Sequence, residues 1–228
     1  MTGYDPSDRR PIASRERGWS RATAHWLAER GVSPNAISVM GMIACVAAGA
    51  ALAATSVVDG VAERMLWLAG AVLVQLRLAA NMFDGMVALE TGKASPVGEL
   101  FNEIPDRISD AAALIGLGYA AGGSPAFGYI ATALAIFTAY VRAQGKAAGA
   151  HSEFCGPMAK PQRMFIVTVA ALFMALAPAG WQVRFGPDAR DGRWGIAAVA
   201  LIIISAACIV TSARRLARIA RTLQERPR

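Results

Sequence analysis

Six apolar segments, each close to the length that crosses a lipid bilayer, constrain the fold of this chain more than any other feature. A membrane-spanning helix needs about 20 largely apolar residues, because the hydrocarbon core of a bilayer is about 30 Å thick. The segments occupy residues 36–55, 65–88, 99–121, 126–144, 164–180 and 195–212. Glycine and serine are scattered among their alanines and leucines, as in packed membrane helices. The pattern predicts an all-α integral membrane protein with six transmembrane helices.

Basic residues mark both ends of the chain. Six arginines precede the first segment and six follow the last: Arg9, Arg10, Arg15, Arg17, Arg21, Arg30, Arg214, Arg215, Arg218, Arg221, Arg226 and Arg228. Because positively charged flanks stay in the cytoplasm, both termini are predicted to be cytoplasmic, which requires an even number of spans. Arginines beside apolar spans anchor to anionic lipid headgroups. We therefore expect membrane lipids rather than nucleic acid as partners, and a location in the cell (inner) membrane.

The chain divides into three regions. Residues 1–30 form a cytoplasmic segment in which Trp19 and Trp26 lie between arginines, a pattern that predicts an amphipathic helix in the membrane interface from about Pro11 to Glu29. Residues 31–212 hold the six predicted spans. Residues 213–228 form a basic cytoplasmic tail that is expected to continue the sixth helix.

Polar residues interrupt the second and third apolar segments. They are Asn81, Asp84, Gly85, Ala88, Gly98, Asn102, Asp106 and Asp110, counting the small residues between the polar ones. A carboxylate at the centre of a bilayer costs roughly 2.5–3.5 kcal/mol, so several together indicate a functional site.

The spacing of these residues predicts two facing polar stripes. Asn81 and Asp84 are three residues apart, and Asn102, Asp106 and Asp110 are four apart, so each set shares one helix face. A short turn at residues 90–97 makes the two helices antiparallel and places Asp84 and Asp106 at similar depth. Oxygen ligands facing each other at one level suit a hard divalent cation such as Mg²⁺ or Mn²⁺. Gly85 and Gly98 allow a backbone or a nucleotide to come close.

The same residues resemble the signature of the CDP-alcohol phosphatidyltransferase family, D-x2-D-G-x2-A-R-x8-G-x3-D-x3-D. This chain keeps every spacing and matches the signature at Asp84, Gly85, Ala88, Gly98 and Asp106. It departs at Asn81 and Asn102, which replace aspartates, and at Leu89, which replaces arginine. The segments 31–38 and 140–144 also resemble the family, so the resemblance covers most of the chain from about residue 20.

The resemblance implies a reaction and a role for each residue. An acceptor alcohol attacks the lipid-linked phosphorus of a CDP-linked lipid, usually CDP-diacylglycerol, and CMP leaves. Asn81, Asp84, Gly85, Ala88 and Gly98 would bind the CDP and its diphosphate. Metal ligands would be Asn81, Asp84, Asn102 and Asp106, with the general base the favoured alternative role for Asp106. Members of the family commonly form homodimers.

The two asparagines lower the expected metal content. Four carboxylates balance two divalent ions, whereas Asp84 and Asp106 balance one, and an amide oxygen ligates a hard cation more weakly. We expect one tight metal, with a second that binds weakly or only with the substrate diphosphate. Asp110, an auxiliary site residue in this hypothesis, would supply missing charge or be a polar partner for another helix. Glu103, next to Asn102, is a second candidate to supply that charge, but it lies off the stripe, which favours an interpretation without a site role.

Basic residues on a second cytoplasmic loop are candidates for binding the acceptor or its phosphate. They are Arg142, Lys160 and Arg163, with Lys146 a weaker candidate. The alternative is that they only mark the cytoplasmic side. Arg77 lies inside the second span and is expected to pair with an internal acid or carbonyl.

Two other hypotheses remain open at the level of sequence. One is a degenerate family member that binds a CDP-linked lipid without turnover. The other is a small transporter or ion-binding membrane protein in which Arg77, Asp84 and Asp106 line a path. The acceptor alcohol is not identified, and glycerol 3-phosphate, inositol phosphate and serine all fit.

Overall fold

The structure is a computed structural model that describes residues 17–93, 96–183, 185 and 194–225. In this part of the chain the helices are α1 (Gly18–Glu29), α2 (Pro34–Ala54), α3 (Gly60–Glu90), α4 (Pro96–Tyr119), α5 (Pro125–Ala147), α6 (Lys160–Leu176) and α7 (Ile196–Gln224). A 3₁₀ turn at Ala179–Trp181 and an isolated antiparallel bridge between Phe185 and Trp194 complete its regular structure. The prediction of an all-α protein is confirmed for the described residues.

Local sequence signals set several helix ends. α2 begins at Pro34, and the Ser33 side chain caps it by accepting a hydrogen bond from the N–H of Ala36 at 3.1 Å. α5 begins in the same way at Pro125, after Ser124. Serine satisfies an otherwise unpaired N–H at a helix start, and proline fits the first turn because it has no N–H to satisfy.

The six long helices pack in a closed order around the domain. α2 packs against both α3 and α4, α5 packs against α4 and α7, and α6 packs against α7 and α3. α3 and α4 contact each other only sparsely, although they are consecutive, because α2 lies between them. α1 packs against α3 and has Trp19 and Trp26 exposed, as an interfacial helix would.

Glycines allow α2 to pack closely against α3 and α4. A Cβ on Gly41 would lie 2.6 Å from Ala80 Cβ and 2.8 Å from Arg77 Nη1 of α3. On the α4 side, a Cβ on Gly49 would lie 2.2 Å from the carbonyl oxygen of Ala112. Small residues that let backbones approach are typical of helix interfaces in membranes, where packing rather than hydrophobic burial holds helices together.

The outer surface of the bundle is apolar. Met40, Val61, Phe165 and Leu176 are all more than half exposed, in helices whose opposite faces are buried. Contiguous exposed apolar surface on this scale indicates contact with lipid. α2, α3, α5 and α7 are long and apolar enough to cross a membrane by length and composition. The protein is a multi-pass membrane protein, and the count of six spans stays a prediction.

Some predicted boundaries need correction. The fifth segment, predicted at 164–180, is a helix at Lys160–Leu176, because Ala177 adopts the extended backbone favoured before Pro178. The second and third segments begin earlier than predicted, at Gly60 and Pro96. α7 runs unbroken past residue 212 to Gln224, which confirms that the described part of the tail continues the last helix. The predicted start of the interfacial helix, residues 11–16, lies outside the described residues.

Candidate active site

Four helices bring the candidate site together. α3 and α4 carry the signature residues, α2 contributes one serine, and the first turn of α6 contributes two basic side chains. The buried polar members are Ser38, Arg77, Asp84, Asp106, Asp110, Lys160 and Arg163. Charged groups this deep in a membrane helix bundle are costly unless they are paired, and they mark functional sites.

Asp84 is buried on α3 and is hydrogen-bonded at both oxygens. Its Oδ2 accepts a hydrogen bond from Ser38 Oγ of α2 at 2.5 Å. Its Oδ1 accepts one from the backbone N–H of Gly85 at 2.6 Å. A carboxylate has about four acceptor positions, so Asp84 keeps capacity for a cation. Asp84 is thus oriented by α2, through a serine, rather than by α4.

Asp106 on α4 binds two basic side chains through the same oxygen. Its Oδ1 accepts hydrogen bonds from Arg77 Nη2 of α3 and from Lys160 Nζ of α6. Its Oδ2 lies 3.8 Å from Arg107 Nη2, which is at the limit of an ion pair. The two oxygens therefore differ: Oδ1 is held by two cations, and Oδ2 has only one distant basic neighbour among the described residues.

Arg77 connects three of the four helices of the site. It is fully buried, and its Nη1 donates a long hydrogen bond to the carbonyl oxygen of Ser38 at 3.5 Å while its Nη2 binds Asp106. The prediction that Arg77 pairs with an internal acid or carbonyl is confirmed, since it does both. Ser38 consequently links Asp84 through its hydroxyl and Arg77 through its backbone.

Asp110 and Arg163 form a second buried pair one helical turn along α4. Arg163 Nη2 lies 2.5 Å from Asp110 Oδ2, and Arg163 Nη1 donates to the carbonyl oxygen of Met158 at 3.1 Å. Lys160 and Arg163 lie in the first turn of α6, where the helix dipole disfavours positive charge. The aspartates of α4 offset that penalty. Asp110 is therefore the partner of another helix, one of the two roles expected for it.

Glu103 joins α4 to α5. It accepts hydrogen bonds from Arg142 of α5 and, at 3.3 Å, from Arg107 on its own helix. The Arg142 guanidinium also lies 5.5 Å from the ring centre of Phe154, in a cation–π contact. Arg142, a predicted acceptor ligand, is thus held by Glu103, which the sequence interpretation leaves without a role.

The whole network has one more basic than acidic side chain. Its acids are Asp84, Glu103, Asp106 and Asp110, and its basic residues are Arg77, Arg107, Arg142, Lys160 and Arg163. A low-dielectric cavity with excess positive charge attracts anions, and phosphate oxygens are good acceptors for arginine and lysine. The electrostatics favour an anionic ligand.

Asn81 and Asn102 contribute buried oxygens that lack partners. The Oδ1 atom of each has no hydrogen-bond partner within the described residues. Buried polar atoms are nearly always paired, so these two indicate a missing donor or cation. With Asp84 they offer the oxygen ligands that Mg²⁺ and Mn²⁺ prefer. The described residues contain no cluster of three His, Cys, Asp or Glu side chains suited to a metal. The two amide oxygens and the Asp84 carboxylate are thus the donor types that a hard divalent cation takes.

The predicted facing of Asp84 and Asp106 stays a prediction, and the described contacts of the two carboxylates run through other residues. α2 lies between α3 and α4, and the α3 partner of Asp106 is Arg77, seven residues before Asp84, or about 10 Å along the helix. The long Arg77 side chain reaches Asp106, whereas the Asp84 side chain binds Ser38 of α2 and the N–H of Gly85.

The small signature residues line the same stretch of α3 and α4. Gly85, Ala88 and Gly98 are half-buried. Leu89, which replaces the signature arginine, is 52% exposed.

The sequence analysis did not identify Ser38 and Arg107 as site residues. Nothing local identifies Ser38, because its partner Asp84 is 46 residues away. The i,i+4 spacing of Glu103 and Arg107, in contrast, is visible in the sequence and predicts their ion pair.

Fold and site together define an all-helical, multi-pass membrane protein with a buried, net-positive site that can hold a divalent cation. The model of one family, CDP-alcohol phosphatidyltransferase, matches residues 31–212. The chain belongs to that family. It is 26% identical over 189 residues to the phosphatidylinositol phosphate synthase of Mycobacteroides abscessus, which covers 78% of this chain and 77% of the relative.

Solved structures share the fold. The phosphatidylinositol phosphate synthase of Mycobacterium tuberculosis, crystallised in complex with manganese and citrate, superposes with a TM-score of 0.70 at 22% identity. That match covers 91% of this chain and 93% of the other. The same enzyme with CDP-DAG bound gives a TM-score of 0.68 at 23% identity, over 91% of this chain and 94% of the other.

Proposed function

We propose that this protein transfers a phosphatidyl group from CDP-diacylglycerol to an acceptor alcohol and releases CMP, in phospholipid biosynthesis. The observation that carries the proposal is the conserved spacing of the signature on α3 and α4, with Asp84 and Asp106 buried in a net-positive site. Membership of the family supports it, as does the bound CDP-DAG in the Mycobacterium tuberculosis relative.

The reaction breaks the phosphoanhydride bond of the diphosphate and forms a phosphate ester bond. The acceptor hydroxyl oxygen attacks the lipid-side phosphorus, the bond from that phosphorus to the CMP oxygen breaks, and the hydroxyl proton passes to Asp106. Oδ2 is the oxygen assigned to accept the proton, because Oδ1 is already bound by Arg77 and Lys160. A general base must lie within hydrogen-bond reach of the proton that it takes, which an oxygen with one distant neighbour permits.

The diphosphate is assigned to the α3 side of the site. Asn81, Asp84, Gly85, Ala88 and Gly98 would hold CDP and its diphosphate, with the small residues leaving room for the nucleotide. A Mg²⁺ or Mn²⁺ ion held by Asn81, Asp84 and Asn102 would supply positive charge that offsets the charge on the diphosphate as CMP leaves. Asp106, the fourth signature position, is assigned as the base in place of a metal ligand, because Arg77 and Lys160 bind its Oδ1 and its Oδ2 takes the proton.

The acceptor is proposed to be a phosphorylated polyol, with inositol phosphate the first to test. Lys160, Arg163 and Arg142 are the proposed phosphate ligands, and the network to which they belong has an excess positive charge. The Mycobacteroides abscessus relative is a phosphatidylinositol phosphate synthase, which supports this choice. The site is proposed to open to the cytoplasm from the cell inner membrane, with both termini on the cytoplasmic side and a homodimer as the assembly.

CMP release from purified full-length protein tests the proposal. The protein is incubated in mixed micelles with CDP-diacylglycerol and Mg²⁺, and inositol phosphate, glycerol 3-phosphate and serine are compared as acceptors. We expect CMP release that depends on the acceptor and is fastest with inositol phosphate. Asp106→Asn should lower the rate by roughly 10²- to 10⁴-fold, the contribution typical of a general base. Asp59→Asn is the control, because Asp59 is exposed at the start of α3. Full activity in Asp106→Asn would refute the assigned base.

A second candidate is a family member that binds the CDP-linked lipid without turnover. The observation that favours it is the double pairing of Asp106 Oδ1, together with asparagine at two signature positions. CDP-diacylglycerol that raises the melting temperature of the protein while no acceptor yields CMP would select this candidate over the transferase.

A further inference from the structure

Glu103 of α4 binds two arginines at once, one on α5 and one on its own helix. Its Oε1 accepts a hydrogen bond from Arg142, and its Oε2 accepts one from Arg107 at 3.3 Å. We infer that Arg142 and Arg107 together bind the phosphate of the acceptor, and that Glu103 fills this place until the acceptor displaces it. The inference rests on the proposed function for the acceptor, and it adds Arg107 to the ligands of the acceptor's phosphate.

The first support is the exposure of this carboxylate compared with two other acids of α4. The Glu103 side chain is 47% exposed, whereas that of Asp106 is 11% exposed and that of Asp110 is fully buried. A buried carboxylate cannot leave its basic partners without leaving them uncompensated in a low-dielectric interior. A half-exposed carboxylate can turn into water at little cost, because exposed ion pairs contribute little stability. Of these three acids, Glu103 is therefore the one that an incoming anion can replace.

The second support is the chemistry of the two arginines. A phosphate monoester carries about 1.5 to 2 negative charges near pH 7 and has three strong acceptor oxygens, whereas a carboxylate carries one charge on two oxygens. Guanidinium groups pair well with phosphate, often through two hydrogen bonds. The Phe154 ring, 5.5 Å from the Arg142 guanidinium, supports Arg142 without using Glu103. Both arginines therefore gain when a phosphate takes the place of the Glu103 carboxylate.

The third support is the distance of this place from the assigned base. Glu103 precedes Asp106 by three residues, which is about 4.5 Å along α4, so the two carboxylates lie on adjacent turns. A phosphorylated polyol is longer than that separation. Its phosphate can therefore bind the two arginines while one of its hydroxyl groups reaches Asp106 Oδ2.

Titration with inorganic phosphate tests the inference without any turnover. Purified full-length protein in mixed micelles, at constant ionic strength, is titrated by isothermal calorimetry. We expect Glu103→Gln to bind phosphate about fivefold more tightly than the wild type, because no ion pair has to open first. Glu90→Gln is the matched control, since the Glu90 side chain is 46% exposed and pairs with His25. It should leave the affinity for phosphate unchanged.

Removal of Arg107 tests its role as a ligand. Arg107→Met should weaken phosphate binding by about tenfold or more, the loss expected for hydrogen bonds to a charged group. Arg218→Met is the control, because Arg218 pairs with a glutamate elsewhere on the chain, at 3.7 Å, and should leave the affinity in place. If Arg107→Met does not fold, Arg107→Lys replaces it. That variant should also bind phosphate more weakly than the wild type, since an ammonium lacks the fork of donors.

The results separate three explanations. Weaker phosphate binding in Glu103→Gln would mean that Glu103 only positions the arginines, and unchanged binding in that variant or in the Arg107 variants would also overturn the inference. CDP-diacylglycerol should raise the melting temperature of Glu103→Gln and wild type equally. A larger rise in Glu103→Gln, without tighter phosphate binding, would assign the two arginines to the diphosphate instead. CMP release is measured separately, so its absence with every acceptor, alongside tighter phosphate binding in Glu103→Gln, counts against the proposed function only.

Discussion

At the scale of single residues, the interior of this protein holds charges in pairs, and a buried pair responds very differently from an exposed one. Asp110 is fully buried and Arg163 nearly so, whereas the Glu103 side chain, which also pairs with arginines, is 47% exposed. Taking both charges out of water costs about as much as their attraction returns, but removing one partner leaves the other uncompensated. Removing one partner of a buried pair should therefore lower the free energy of unfolding more than replacing both partners.

Asp110→Ala is expected to lower the free energy of unfolding by about 3–5 kcal/mol, because Arg163 is left buried without its carboxylate. Asp110→Leu/Arg163→Met should recover most of that loss, since two apolar side chains replace the pair. Glu103→Gln, at a partly exposed pair, should cost no more than about 1 kcal/mol. Unfolding in mixed micelles with increasing SDS measures all three. A double variant no more stable than Asp110→Ala would contradict the explanation.

At the scale of helices, α2 sets the geometry of the site although it contributes only one site residue. It lies between α3 and α4, and Gly41 packs directly on Arg77 and Ala80. Ser38, three residues earlier, binds both Asp84 and Arg77. The position of α2 therefore fixes where Arg77 can reach Asp106.

Gly41→Val is expected to displace Arg77 from Asp106, because even a Cβ would lie 2.8 Å from Arg77 Nη1. Overpacking of this kind costs about 1–3 kcal/mol, and displacement of a catalytic group by about 1 Å costs roughly 10²-fold in rate. Rates of CMP release and melting temperatures of the two proteins measure the effects. Gly18→Ala is the control, since no atom lies within 4 Å of its added Cβ. Equal rates in Gly41→Val and wild type would show that Arg77 tolerates displacement.

α1 docks on the end of α3 through an exposed histidine. His25 Nδ1 lies 3.0 Å from Glu90 Oε1, His25 Nε2 lies 3.3 Å from Glu29 Oε1, and Trp19 makes an edge contact with Phe83. The hydrogen bond with Glu90, and then the charge of Glu29, raise the pKa of His25 above its ordinary value of 6.5. A raised pKa means that the contact stabilises docking fully below pH 6.5 and is lost as pH rises through the raised value.

The pKa of His25 is measurable by nuclear magnetic resonance, because the chain has only one other histidine, His151, which His151→Gln removes. We expect the imidazole to titrate above 6.5 in this background and at a lower pH when Glu90→Gln is added. Lys93→Gln, a nearby change that does not touch the pair, should leave the pKa in place. A pKa that does not fall in Glu90→Gln would mean that Glu90 is not the cause.

The sequence predicted where the helices and their polar residues lie better than it predicted which side chains contact each other. Hydropathy located all six long helices, because this signal is local. The pairing of Arg77 with an internal acid or carbonyl was predictable from the cost of a buried charge. Its specific partner, Asp106, was not, since short turns fix the direction of a helix but not which third helix packs against it. The insertion of α2 between α3 and α4, and with it the role of Ser38, required the structure.

At the scale of the whole molecule, composition and architecture give different counts of spans. α4 carries the charged residues of the site, and α6 is 17 residues long, so only α2, α3, α5 and α7 pass as spans by length and composition. Yet the charges of α4 face other helices and pair there, which is how a membrane helix accommodates them. All six long helices pack in one closed order, so we expect α4 and α6 to cross the bilayer with the rest.

Six crossings would place both ends of the chain on the same side, and the arginines at the ends predict that this side is the cytoplasm. Cysteine labelling tests this in cells that express a Cys155→Ser background, since the other two cysteines are buried. Ala22→Cys and Ala220→Cys lie at exposed positions near the two ends, and Val57→Cys lies in the turn between α2 and α3, where Val57 is 81% exposed. A membrane-impermeant maleimide should label only Val57→Cys in intact cells and all three after permeabilisation. Labelling of Ala22→Cys and Ala220→Cys from opposite sides would mean an odd number of crossings, and α4 or α6 would then not span.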